Sequence, residues 1–102
     1  MAARPRKKLI PIHPGEILSD AIQEAGLTAN ALALELRAPA NRIGAIVKAQ
    51  RSISVDTAMR LARYFGTTPE LWLNLQVRYD LESARDTLAE RIEREVAPRP
   101  AA

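Results

Sequence analysis

The sequence predicts an all-α chain of five to six helices built around a helix-turn-helix. Three observations predict it. Apolar residues recur at helical spacing in five successive segments, each segment opens on a capping residue or a proline, and two of them are followed directly by glycine. A chain of 102 residues fits one domain with one modest core.

Residues 1–12 carry Arg4, Arg6, Lys7 and Lys8 with Pro5 and Pro11 and leave no room for a periodic apolar face, so they read as a flexible basic arm. The first helix opens at His13-Pro14-Gly15-Glu16, because proline is pre-set for the first helical position and a glutamate favours the positive end of the helix dipole. Ile17, Leu18, Ala21, Ile22 and Ala25 form its expected buried face, and Gly26 is a left-handed stop. Thr28 caps a short second helix with Leu32, Ala33 and Leu36 inward, ending near Arg37. Pro39 pushes Ala38 out of the helical region and restarts the chain as a third helix, Pro39 to Lys48. Ile43, Ile46 and Val47 make its apolar side, leaving Ala40, Asn41, Arg42, Gly44, Ala45 and Lys48 outside.

Ser54 caps a fourth helix whose expected core positions are Val55, Ala58, Leu61, Ala62 and Phe65, closed by Gly66. Thr68-Pro69-Glu70 repeats the start signal for a fifth. Projected at 100° per residue, Leu71, Trp72, Leu75 and Tyr79 fall on one side of it. Leu73, Val77, Leu81, Ala84, Leu88 and Ile92 fall nearly opposite. One core serves the first face, so the second is expected to meet another protein chain, in a homodimer or with a partner. Asp80 is a further capping residue, so a separate sixth helix starting there is the alternative. The expected organisation is an arm at 1–12, a helix-turn-helix domain at 13–79, a C-terminal helix at 80–96 and a tail at 97–102.

Composition narrows the function. Residues 1–63 hold ten Lys/Arg against five Asp/Glu, whereas residues 64–102 hold five against seven. The first part suits a polyanion and the second a different task. With no cysteine and one histidine, His13, there is no thiol chemistry, no conventional zinc site and no credible catalytic set, so neither an enzyme nor a metal protein is expected. His13 reads as a helix-start residue, and Trp72 and Tyr79 as core or interface packing. Glu90 to Glu95 reads as a solvated face with local ion pairs. No apolar run long enough for a membrane span and no secretory order at the N-terminus are present, which points to the cytoplasm.

Two short helices joined by a tight turn, the second with a compact polar outer side, are the parts of a DNA-reading unit. A recognition helix enters the major groove only if its outward side chains are short or can bond base edges. Ala40, Asn41, Gly44 and Ala45 meet the first condition, and Asn41 and Arg42 the second, asparagine pairing with adenine and arginine with guanine. Thr28, Asn30, Lys48, Gln50 and Arg51 are the candidate phosphate contacts, which set register without reading sequence. The basic arm suits an adjacent minor groove or stays free of DNA.

The run His13-Pro14-Gly15-Glu16-Ile17-Leu18, then Ile53-Ser54 to Arg60-Leu61-Ala62, then Trp72-Leu73-Asn74-Leu75-Gln76 and Tyr79-Asp80-Leu81, closely resembles the HigA family of antitoxins over residues 9–85. The resemblance implies a lambda-repressor-like fold, an XRE-type helix-turn-helix and a dimer that binds double-stranded operator DNA and a RelE-like toxin, HigB. The toxin, not this chain, would be the ribonuclease. No cofactor or small-molecule substrate is implied, and the protein would sit on the nucleoid when bound to DNA. Members often have glycine where this chain has Arg37 and Ala49, so both positions are expected to need a left-handed backbone, at about 1–2 kcal/mol for a non-glycine residue. A glutamine common early in the second helix is replaced by Ala29, with Asn30 as its imperfect substitute. Two other readings stay open: a stand-alone repressor with no toxin partner, and a protein-binding module that has lost DNA binding.

Overall fold

The structure, a computed structural model, describes residues 10–101. The basic residues Arg4, Arg6, Lys7 and Lys8 of the expected arm lie outside the described residues. Among the described residues there are five helices and no strand: α1 Pro14–Glu24, α2 Ala29–Leu36, α3 Ala40–Val47, α4 Val55–Phe65 and α5 Pro69–Glu95.

Local chemistry sets these limits. Thr28, Ser54 and Thr68 accept the backbone N–H of Ala31, Thr57 and Leu71 through their hydroxyls, and His13 Nδ1 accepts from Gly15 N at 2.9 Å. Such a cap contributes about 1 kcal/mol. α3 has none and starts on Pro39 at the cap position, one residue later than its proline predicts. Four helices end on a left-handed residue. At the ends of α1, α2 and α3 the same paired bonds recur: Gly26 N to Gln23 O with Leu27 N to Ile22 O, Arg37 N to Leu34 O with Ala38 N to Ala33 O, and Ala49 N to Ile46 O with Gln50 N to Ala45 O. α4 ends on Gly66, with Thr67 N donating to Ala62 O.

Leu18, Leu32, Ile43, Ile46 and Leu61 are fully buried and, with Ile22, Leu36, Ile53, Ala58 and Trp72, form one core beneath α1–α4 and the start of α5. α1 crosses α3 so closely that a Cβ on Gly15 would overlap the carbonyl oxygen of Ile46. The glycine of the opening motif thus seats α3 on α1.

Four expected core positions are exposed instead: Ile17, Ala25, Val55 and Leu71. Ile17, Val55 and Leu71 lie at the edge of an apolar arc, where burial stops short of them, and Ala25 stands at the C-terminal cap of α1, beyond its last turn. Ile17 borders a shallow apolar groove with Ile10, Ile12 and Leu75.

No sixth helix starts at Asp80. α5 is continuous over 27 residues, and Asp80 Oδ1 accepts from Gln76 Nε2 at 3.0 Å within it. The helix outruns the core. The radius of gyration is 17.7 Å and the long dimension 51 Å, against about 13 Å expected for a compact chain of this length. Every described residue after Ala84 is exposed.

Candidate nucleic-acid interface

α3 is short because proline starts it and a left-handed residue ends it, and Ile43 and Ile46 fix which side faces the core. At 100° per residue, that orientation sends Asn41 and Lys48 most directly outward, with Gly44 and Ala45 to either side. Asn41, Lys48 and Ala40 are exposed, and the small Gly44 and Ala45 between them are half-buried. The outward surface is therefore low enough for close approach of a double helix, with one amide and one ammonium projecting from it.

Arg42 lies differently from its expected place outside. Its side chain is 25% exposed and turns to α4, where Nη1 stands 3.6 Å from Asp56 Oδ2. Arg42 Nε is buried without a hydrogen-bond partner. The reason is angular, since Arg42 sits at the flank of the outward face, from where its long side chain reaches Asp56 at the start of α4.

The phosphate candidates fall in two places. Thr28 and Asn30 are exposed at the start of α2, although the Thr28 hydroxyl is occupied as a cap. Lys48, Gln50 and Arg51 are exposed on the turn that leaves α3. That turn needs a left-handed residue, and Ala49 supplies it at φ 59°, just as Arg37 does before α3 at φ 57°. Both expectations of strained backbone hold.

Of the expected protein-contact stripe, Val77, Leu81, Leu88 and Ile92 are 43–53% exposed and share one side of α5, with Ala84 half-buried between them. Leu73 departs from the group, packing partly against the core. Arg91 Nε pairs with Glu95 Oε1 at 2.7 Å on the charged face.

Two residues that sequence reasoning did not assign hold the unit together. Gln76 is buried, and its Oε1 accepts the backbone N–H of Ile53 at 2.9 Å, tying α5 to the segment before α4. Its signal was a polar side chain on the same face as Trp72 and Tyr79. Arg60 donates through Nη1 to the Leu36 carbonyl at 2.9 Å and through Nε to Asp56 at 3.0 Å, so α4 closes the C-terminal end of α2. Tyr79 meets the His13 ring edge-on at 4.7 Å. Among the described residues no group of acidic, histidine or cysteine side chains could hold a metal ion, and no helix is long and apolar enough to cross a membrane.

Comparison with known proteins agrees with this geometry. A family model described as helix-turn-helix matches residues 18–72. An addiction module antidote protein of a HigA family from Coxiella burnetii is 50% identical with a TM-score of 0.83, over 89% of this chain and all of that one. Antitoxin HigA of Pseudomonas aeruginosa, solved with the higBA promoter, is 43% identical with a TM-score of 0.83 over the same shares. Virulence-associated protein I of Dichelobacter nodosus is 48% identical over 80 residues, 78% of this chain and 74% of that protein. With a helix-turn-helix match over more than half its length and this likeness to solved antitoxins, the chain belongs to the HigA family of antitoxins, with its lambda-repressor-like, XRE-type fold.

Proposed function

We propose that the protein is the antitoxin of a toxin–antitoxin pair and represses its own operon by reading operator DNA. The observation that carries this is the outward side of α3, a low surface of small residues from which Asn41 projects, with Lys48 beside it at the helix end. A helix so shaped fits the major groove, where Asn41 can bond adenine bidentately and Ala40 and Ala45 admit the base edges. Arg42 borders that surface as a second base reader. Thr28 and Asn30 on one side and Lys48, Gln50 and Arg51 on the other fix register through phosphates.

Two copies pairing through the stripe from Val77 to Ile92 would set their α3 helices about 34–36 Å apart, on successive major grooves of a palindromic site. Promoter occlusion follows from that placement. The relative solved with its promoter supports this reading, as does the excess of positive charge before residue 64. The more acidic C-terminal part suits a basic partner, a RelE-like ribonuclease toxin, which this chain would neutralise by binding rather than by chemistry. The working site is the cytoplasm, on the nucleoid when DNA is bound, with no cofactor.

Co-expression with the neighbouring reading frame tests both halves. The expected outcome is a co-purifying complex and a salt-dependent footprint on the shared promoter. A footprint without a co-purifying partner would identify a stand-alone repressor, and a complex without a footprint a module that has lost DNA binding.

A further inference from the structure

Asp56 joins three helices. It lies in the first turn of α4, where a carboxylate is favoured by the helix dipole. Its Oδ2 accepts from Arg60 Nε at 3.0 Å, and Arg60 is itself anchored by Nη1 on the Leu36 carbonyl at the end of α2. The carboxylate is thus held in place independently of α3. Arg42 Nη1, from α3, stands 3.6 Å from the same oxygen, with the Arg42 side chain 25% exposed and that of Asp56 55% exposed.

An arginine at the rim of a recognition helix has two anionic or electron-rich targets, the guanine edge and any phosphate. A free, long side chain takes the phosphates, which are more numerous and carry no sequence. Arg42 is not free. Its Nε is buried, its Nη1 faces a fixed carboxylate, and on a 100° projection it lies about 60° round from Ala45, beside the outward surface. Asp56 also repels a phosphate that approaches from its own side.

We propose that Asp56 is a specificity-determining positioning residue: it holds the Arg42 guanidinium against α4, so that Arg42 serves one base position instead of the phosphate backbone. This rests on the DNA-reading proposal above. The alternative is an ion pair that only fastens α3 to α4.

The test compares affinity for the footprinted duplex upstream of the chain's own gene with affinity for a random duplex of equal length, with thermal unfolding of every variant. Asp56→Asn is expected to lower the ratio of the two affinities by about tenfold, the scale of one arginine–guanine pair. It should raise the salt slope by about one as the released arginine finds a phosphate. In an Arg42→Ala background the same substitution should leave the ratio unchanged, and in the otherwise wild-type chain Asp56→Glu should keep the ratio near its wild-type value. Arg42→Lys, which keeps the charge but not the planar fork, should lose the ratio and keep the slope, a readout that does not depend on the Asp56 variants folding. Equal losses from Asp56→Asn with and without Arg42, or an Arg42→Lys variant with full preference, would overturn the inference. A wild-type chain that binds both duplexes alike would instead overturn the DNA-reading assignment, and the inference with it.

Discussion

The scaffold and the reading unit end their helices differently. α1 and α4, which build the scaffold, stop on Gly26 and Gly66, both at φ 70°. α2 and α3, which make the helix-turn-helix, stop on Arg37 and Ala49 with nearly the same backbone angles. The hydrogen bonds are alike at the ends of α1, α2 and α3, so the difference is the side chain placed on a left-handed residue, at about 1–2 kcal/mol each. The helix-turn-helix tolerates this because it is fixed from outside. Gly15 seats α3, Arg60 closes α2, and Gln76 holds the chain just before α4. Strain in the reading unit is thus offset by long-range contacts from the scaffold.

If that division is correct, the largest effects on stability come from the scaffold. Trp72 is 3% exposed, donates its Nε1–H to Thr67 Oγ1 at 2.9 Å and packs on Phe65. Trp72→Ala should therefore cost about 3–5 kcal/mol in urea unfolding. Gln76→Ala should cost about 1–3 kcal/mol, because it leaves the Ile53 N–H buried and unpaired. A loss below 0.5 kcal/mol, the scale of ordinary surface substitutions, would show that the tie from α5 is not what holds the loop. Ala49→Gly should do the reverse, stabilising the chain by about 1 kcal/mol after the extra chain entropy of glycine is counted. A destabilised Ala49→Gly protein would break the comparison, since Ala49 would then not be strained. Smallest of all, Lys48→Ala should change stability by less than about 0.5 kcal/mol while lowering the salt slope of DNA binding by about one.

Most of the fold was readable because its signals are local. Thr28, Ser54 and Thr68 cap the helices that follow them, and Gly26 and Gly66 take the left-handed positions that glycine signals, whereas the left-handed Arg37 and Ala49 were expected only from the family resemblance. Periodicity reports which residues share a face but not how wide the buried arc is, which is why Ile17, Val55 and Leu71 are apolar and exposed. It also left open whether α5 divides at Asp80, because a capping side chain and a helix-interior partner of Gln76 are the same residue type. The candidate site was legible to the same degree. The outward direction of Asn41 and Lys48 follows from Ile43 and Ile46, two residues on the same helix. The turn of Arg42 toward Asp56, and the reach of Arg60 to Leu36, depend on how separate helices pack, and no local pattern encodes them.

In the proposed function the outward face of α3 reads bases while the turn after it only holds the DNA backbone. Quantitative mobility shifts of Asn41→Ala and Lys48→Ala, on the chain's own promoter and on random DNA, test it most directly. Asn41→Ala is predicted to weaken promoter binding by about 1–3 kcal/mol with little change on random DNA, and Lys48→Ala to weaken both alike. Equal losses on the two duplexes from both substitutions would contradict the account.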